Sequence, residues 1–236
     1  MAGIISLILC SAGTAFAAGT IQYGNVRFKH LDGSDGLPHN TVYSITQDDY
    51  GFMWFATAGG LCRYDGYDVT VFLHKEGDSS SLRHDFVRNL YNDPYRQSIW
   101  ISTETGVCRY DYGEDIFCSY DIEGNRSDNV RFLVTGKEHG LLAVCSNGIF
   151  RYDAGKDVFE PFIRRPGHVF YTAAEDSSSM LWITTNKGLL CYDLLRSAYT
   201  DIPDTLSDLG KIWIEADMVC GTGLILCNDN DYYVYN

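Results

Sequence analysis

Short segments in which apolar and polar residues alternate recur along the chain and predict β-strands. The first covers residues 41–46, with Val42 and Ile45 among its apolar positions. Glycine or aspartate stands at the predicted turns, and no segment of useful length carries the stripe of an amphipathic helix. The pattern predicts an all-β chain. Comparable first strands begin at Val87, Val130, Val169 and Ile212.

One sequence unit is repeated along the chain. Residues 54–65 recur as 100–111 and 182–193, each beginning with Trp, carrying a central Gly and ending in Tyr-Asp. Weaker copies cover residues 142–153 and 223–236. The tyrosines fall at intervals of 46, 42, 40 and 43 residues. This regularity indicates an internal structural repeat. Its members are Tyr64, Tyr110, Tyr152, Tyr192 and Tyr235.

A repeat of this length with four short strands predicts a β-propeller. The repeated Trp, Tyr and Phe side chains are expected to fill the interfaces between neighbouring blades, since one four-stranded sheet cannot bury both faces alone. The Trp residues are therefore assigned to core packing. The predicted propeller occupies residues 19–236, with five blades near 41–73, 87–121, 130–163, 169–202 and 209–236.

The two ends of the repeat array leave two arrangements open. Residues 26–31 form a predicted closing strand, and the fifth blade has three predicted strands. Pairing between these segments would close a five-bladed ring. Seven blades at this period need roughly 300 residues, so the sequence favours an incomplete seven-bladed propeller over the closed ring.

The first 18 residues have the character of a secretory leader. They carry no charge, and an apolar stretch at residues 4–10 precedes small residues around Ala17 and Ala18. This predicts a signal peptide, although the basic start of such a peptide is missing. The apolar stretch is too short to cross a bilayer as a helix, so the chain is expected to contain no membrane span.

Charge and composition exclude two classes of protein. The 31 acidic and 18 basic residues give a net charge of −13, and no basic stripe appears, which argues against a nucleic-acid partner. The chain is 45% hydrophobic and 14% aromatic, which argues against disorder.

The cysteines do not form a metal-binding pattern. Seven remain after the predicted leader, and no two have the C-x-x-C spacing of a common zinc site. Most lie in apolar runs such as those around Cys62 and Cys108, where a thiol packs as a small hydrophobe. We expect buried free thiols, with oxidation of some left open for an exported protein. No metal and no cofactor are predicted.

Four segments near the start of the repeat array carry a distinctive motif: residues 28–31, 35–45, 51–57 and 60–66. They resemble the two-component regulator propeller repeat, which is found in the periplasmic sensor regions of hybrid two-component systems of gut Bacteroidetes. The resemblance is densest in the first repeat and extends over residues 26–236.

The resemblance implies a sensor that detects oligosaccharides in the periplasm and controls genes for polysaccharide utilisation. It implies a parent with two seven-bladed propellers, a β-sandwich, a transmembrane helix, a histidine kinase, a receiver and a DNA-binding module, acting as a homodimer. This chain is expected to supply a ligand-sensing propeller and no catalytic residue.

Candidate ligand contacts lie in two sets of loops that a propeller places on one face. One set enters the first strand of each blade, and the other joins the second and third strands. Polar groups at a concave mouth suit a sugar, because hydroxyl groups need directional partners. In the first set, Asn40, Asp85 and Asn129 are predicted to hydrogen-bond their own turns. The candidate contacts are His39, His84, His168, Glu104, Asn147 and Asn186.

Two other functions stay open. The sequence lacks a G-x-S-x-G elbow, an H-E-x-x-H motif, a Walker loop and a dinucleotide fingerprint. Propellers nevertheless host many functions. A secreted propeller scaffold or carbohydrate-binding module is the alternative, and a propeller glycosidase or lyase using paired carboxylates is less favoured.

Overall fold

Nineteen strands and one short 3₁₀ turn, Gly33–Asp35, make up the regular structure in the described part of the computed structural model. It describes residues 30–122, 130–136, 140–176 and 178–202, and the backbone of 213–214, 224–227 and 232–235. The predicted leader and closing strand thus lie outside the described residues, apart from the last positions of the latter. The strands are β1 (Val42–Gln47), β2 (Met53–Thr57), β3 (Gly60–Tyr64), β4 (Val69–Phe72), β5 (Val87–Asp93), β6 (Ser98–Thr103), β7 (Gly106–Asp111), β8 (Ile116–Tyr120), β9 (Val130–Gly136), β10 (Gly140–Cys145), β11 (Gly148–Asp153), β12 (Val158–Ile163), β13 (Phe170–Glu175), β14 (Met180–Thr185), β15 (Gly188–Asp193), β16 (Ala198–Thr200), β17 (Trp213–Ile214), β18 (Leu224–Cys227) and β19 (Tyr232–Tyr235).

The strands form four-stranded antiparallel sheets that follow chain order. Blade 1 is β1–β4, blade 2 is β5–β8, blade 3 is β9–β12 and blade 4 is β13–β16. The last described strands, β17–β19, pair as a three-stranded antiparallel sheet. This architecture confirms the prediction of an all-β propeller with four-stranded blades.

The first strand of each blade is the innermost. Strand β1 contacts β5, β5 contacts β9, and β9 contacts β13. Side chains tie these strands together: the Leu90 amide donates to Ser44 Oγ at 3.2 Å, and the Leu133 amide donates to Asn89 Oδ1 at 3.0 Å. The first strands therefore line the axis around which the blades are arranged.

The hydrophobic core is divided among the blade interfaces. Trp54 is fully buried between blades 1 and 2, with Phe72 at 5.6 Å and Tyr110 at 5.1 Å between ring centroids. Trp100 is fully buried between blades 2 and 3, and Trp182 is 3% exposed. The assignment of the Trp residues to core packing is confirmed.

Each of these indoles also meets a carboxylate at the end of the first strand. The Nε1–H groups of Trp54 and Trp182 donate to Asp48 and Asp176 at 2.7 Å, and that of Trp100 donates to Asp93 at 3.3 Å. Sequence reasoning missed this recurrent Trp–Asp hydrogen bond, although an aspartate stands six or seven residues before the Trp in three repeats.

The described cysteines are free thiols, as expected. Cys62, Cys108, Cys145 and Cys191 are buried, and Cys118 is partly exposed. Burial raises the pKa of Cys62 and Cys191 to about 12 and that of Cys108 to about 11, because the interior disfavours a thiolate. Cys10, Cys220 and the side chain of Cys227 lie outside the described residues.

Candidate functional site

The two sets of loops singled out in the sequence lie together on one face of the propeller, which we call the entry face. The turn between the second and third strands donates a backbone N–H to the residue that precedes the first strand. Ala58 donates to Thr41 at 3.3 Å, and Glu104 donates to Phe86 at 3.2 Å. Asn186 repeats the contact with Val169 in blade 4 at 3.0 Å. These bonds hold the candidate residues next to the innermost strands.

His39 and His84 occupy equivalent positions and cap equivalent turns. The Nδ1 atom of His39 accepts the Thr41 amide at 2.9 Å, and that of His84 accepts the Phe86 amide at 3.0 Å. An accepting Nδ1 carries no proton, so the hydrogen-bond network assigns the ring proton to Nε2. His39 is exposed and His84 is half-buried, so each Nε2–H is a donor that these turns leave available.

The prediction that Asn40 and Asp85 hydrogen-bond their own turns is wrong. Asn40 Oδ1 accepts the Gly33 amide at 3.2 Å, and Asp85 Oδ1 accepts the His74 amide at 2.6 Å. The preceding histidine already accepts the turn amide, so these side chains bind the segment before the turn instead. Asn129 lies outside the described residues.

The hydrogen bonding of His168 differs from that of His39 and His84. Strand register aligns His168 with Asn40 and Asp85, and its Nδ1 lies 3.3 Å from the Pro166 carbonyl oxygen. It therefore shares the entry face without sharing the turn-capping geometry.

The three remaining predicted contacts lie in the turns between second and third strands. Glu104 is 44% exposed and faces Arg88, with 3.5 Å between Oε1 and the guanidinium. Asn186 Oδ1 accepts the Val169 amide at 2.8 Å, so this side chain has a structural role. Asn147 is exposed at the corresponding turn of blade 3. Whether any of the six residues contacts a ligand stays a prediction.

A recurrent β-bulge was not found by sequence reasoning. In all four complete blades the pairing of the first and second strands slips by one residue at the same place. A bulge leaves the extra residue out of the ladder and re-aims its side chain, and such bulges are frequent beside functional sites. Each bulge residue directly follows the first apolar residue of its strand, a position that apolar–polar alternation alone does not mark as a slip. The bulge residues are Tyr43, Arg88, Arg131 and Tyr171.

The bulge side chains form two stacks that cross blade boundaries. The ring of Tyr43 lies 5.1 Å from that of Phe86, and the Arg88 guanidinium carbon lies 4.7 Å from the same Phe86 ring centroid. The Arg131 guanidinium carbon lies 5.2 Å from the Tyr171 ring centroid. We call these five residues the mouth cluster. Aromatic faces and guanidinium N–H groups beside the axis can stack on a ring and hydrogen-bond its substituents.

A pocket of about 580 Å³ shares His84 with the entry face but is lined by no residue of the mouth cluster. It lies under the segment that connects blades 1 and 2. Arg83 forms one wall, donating to the Thr105 carbonyl at 2.6 Å and pairing with Asp121 at 2.5 Å. Within the described ranges, no three His, Cys, Asp or Glu side chains are grouped to hold a metal ion, and no helix is long and apolar enough to span a membrane.

Two sequence comparisons find similarity to two-component regulatory proteins. Residues 36–59 match the model of the two-component regulator propeller family. A stretch of 82 residues is 34% identical to histidine kinase P4 of Formosa agariphila, covering 34% of this chain and 6% of that protein.

Solved structures share the fold. The extracellular domain of a putative hybrid two-component system from B. thetaiotaomicron is 26% identical, with a TM-score of 0.68 over 88% of this chain and 31% of that chain. Virginiamycin B lyase from Staphylococcus aureus, at 14% identity and a TM-score of 0.60 over 84% of this chain and 66% of that chain, shows the fold alone.

The chain spans about a third of that B. thetaiotaomicron domain and a small part of the histidine kinase. The family match lies in the first repeat, where the sequence resemblance is densest. These findings confirm the resemblance of this chain to the two-component regulator propellers of Bacteroidetes hybrid sensor systems.

Proposed function

We propose that this chain is the periplasmic, ligand-sensing propeller portion of a hybrid two-component sensor that controls polysaccharide-utilisation genes. The observation that carries the proposal is the coincidence of a regulator propeller match with similarity to the extracellular domain of a hybrid two-component system. The parent protein is proposed to act as a homodimer, with the kinase chemistry outside this chain.

The ligand we propose is an oligosaccharide bound at the mouth cluster. Sugar rings present apolar faces that pack on aromatic side chains, and hydroxyl groups that require directional hydrogen bonds. Tyr43 and Phe86 supply aromatic faces at the inner strands, and the Nε2–H groups of His39 and His84 supply donors beside them.

We propose binding without catalysis at this site. Two carboxylates of the entry face, Glu104 and Asp85, already have structural partners. Glu104 faces Arg88, and Asp85 accepts the His74 amide. A general acid or base needs a carboxylate that can reach substrate, and these contacts favour a structural role for both.

Calorimetry of the purified chain against a panel of oligosaccharides tests the proposal. Binding of at least one glycan is expected. His84→Asn should weaken it while leaving the thermal transition in place, because the Asn side chain can still accept the Phe86 amide but lacks the Nε2–H donor. Tyr95→Ser is the matched control, since Tyr95 is 93% exposed in the turn between β5 and β6 at the opposite end of the same blade.

The alternative, a secreted scaffold, predicts a different result. A measurable heat of binding with a protein partner, and no heat of binding with any glycan, would favour the scaffold function. Hydrolysis or elimination products from a bound glycan would contradict the non-catalytic assignment.

A further inference from the structure

Charge is distributed unevenly within the mouth cluster. The chain as a whole has a net charge of −13, yet two of the four bulge residues in its described part are arginines. The charge of Arg88 is offset by Glu104 at 3.5 Å. Across the described ranges, Arg131 has no carboxylate within ion-pair distance, and its Nε is buried without a hydrogen-bond partner. With respect to the described residues, the guanidinium at the inner strand of blade 3 is therefore unpaired.

The contact with Tyr171 holds this guanidinium in place. Its carbon lies 5.2 Å from the ring centroid, within the range of a cation–π interaction. Such a contact restrains the guanidinium beside the ring. The N–H fork of an arginine matches the two oxygens of a carboxylate, or two oxygens of a sulfate, in a bidentate geometry.

A second cation stands on the same side of the entry face. The Lys187 ammonium approaches the turn before β13, where a Cβ added to Gly167 would lie 3.1 Å from Nζ. Lys187 is exposed and has no ion pair with any residue that the structure describes. Among the described residues, the blade 3–4 side of the face thus carries two cations without an ion-pair partner, whereas the blade 1–2 side carries aromatic rings, the turn-capping histidines and the Arg88–Glu104 pair.

We propose that the mouth cluster recognises an anionic oligosaccharide, whose carboxylate or sulfate ester is held by Arg131 and Lys187. The sugar rings then extend toward Tyr43 and Phe86. This inference rests on the proposed function, because it names the class of oligosaccharide that the sensor binds.

Four probes separate charge from sugar recognition: tetragalacturonate, its methyl ester, a sulfated chondroitin disaccharide and maltotetraose. The expected result is binding of tetragalacturonate or the sulfated disaccharide, with each neutral probe at least about 10-fold weaker. Loss of binding when tetragalacturonate is methyl-esterified identifies the carboxylate as a recognised group, because the chondroitin disaccharide carries a carboxylate as well as its sulfate.

Arg131→Gln tests whether Arg131 holds the anionic group of the ligand, and Arg151→Gln is its matched control. Arg151 is an exposed arginine of the same blade that also lies over an aromatic ring, Phe162 at 4.9 Å, but it belongs to the third strand. Arg131→Gln should weaken the anionic probe about 10- to 100-fold, as for a lost charge-assisted hydrogen bond, and reduce the salt dependence of binding. Arg151→Gln should change neither.

The outcomes separate this inference from the proposed function. Equal binding of maltotetraose and of both tetragalacturonate forms would overturn the inference and leave oligosaccharide sensing standing. Equal weakening of all four probes by Arg131→Gln, with a lower thermal transition, would show a structural arginine and also overturn it. No binding of any probe would overturn both.

Discussion

The blade interfaces and the mouth cluster are built on the same backbone repeat, but they differ in whether the side chains also repeat. At the interfaces the same side chains recur, as when Trp54, Trp100 and Trp182 each donate to an aspartate. At the mouth the backbone bulge recurs, while its side chain changes from tyrosine to arginine and back. Buried packing tolerates few alternatives, whereas a partly exposed bulge residue can differ from blade to blade. We therefore expect stability to depend on the interfaces and ligand choice to depend on the mouth.

The dependence of stability on the blade interfaces is tested most strongly by removing an indole side chain that is buried in one of them. Trp100 is fully buried between blades 2 and 3, with Tyr152 at 4.7 Å and Tyr120 at 5.2 Å. Trp100→Ala should lower the free energy of unfolding by about 3–5 kcal/mol, because it removes buried surface and leaves a cavity. Denaturant titration followed by circular dichroism measures the change.

The control for that experiment lies at the mouth. Tyr43 is 48% exposed, so Tyr43→Ala should cost about 1 kcal/mol or less. Equal losses for the two substitutions would mean that the mouth contributes to stability as much as the interfaces do.

A smaller effect is expected at the turn that joins β2 to β3 on the entry face. Gly60 has φ +147°, and an added Cβ would stand 2.8 Å from Leu73 Cδ2 and 3.1 Å from the Phe72 carbonyl oxygen. Gly66 has φ +101° with nothing within 4 Å of its added Cβ. Gly60→Ala should therefore cost about 3 kcal/mol from strain and overlap, against about 1 kcal/mol for Gly66→Ala from strain alone. Thermal unfolding compares the pair, and a larger loss at Gly66 would contradict the steric argument.

The smallest predicted effect is a pH dependence at the outer edge of the interface between blades 2 and 3. Burial acts to raise the pKa of Asp157, but hydrogen bonds from Tyr152 and Tyr120 and the Arg109 guanidinium outweigh it and hold the pKa below its usual 3.8. A lowered pKa means that the carboxylate stabilises the fold fully above pH 3.8 and loses this contribution as the pH falls through the lowered value.

Asp157→Asn should accordingly flatten the loss of stability on acidification. The change will be modest because the Asp157 side chain is 57% exposed and screened by solvent. Unfolding midpoints between about pH 5 and pH 3 measure it, since that window spans the ordinary carboxyl pKa. A variant with an unchanged acid profile would show that the interaction contributes nothing.

The fold was predictable because each blade buries the same kinds of side chain at equivalent positions. Each blade must cover its neighbour, so the Trp and Tyr positions recur at a period that can be read in the sequence. The turn aspartates were also predictable. Asp65 and Asp111, at the ends of third strands, accept amides from the turns that follow, as the Tyr-Asp pairs indicated.

The geometry of the mouth was less predictable for a physical reason. A bulge adds one residue to an otherwise alternating strand, and a two-residue pattern does not show where the slip occurs. Likewise, His39 and Asn40 can each cap the same turn, and only the structure shows that the imidazole accepts the turn amide while Asn40 binds Gly33. Sequence reasoning found the entry face but missed the residues that lie closest to its axis.

The burial of the thiols has a practical consequence for spectroscopy. Cys118 is the partly exposed member of the five described cysteines, and it lies on the outermost strand of blade 2, whereas the mouth cluster belongs to the innermost strands. With Cys10, Cys220 and Cys227 replaced by serine, a maleimide dye should label Cys118 selectively in the folded protein, since a buried thiol reacts slowly. Cys118 thus offers, in this triple variant, an attachment point for a fluorophore that reports on the periphery of the propeller while the mouth remains open to ligand.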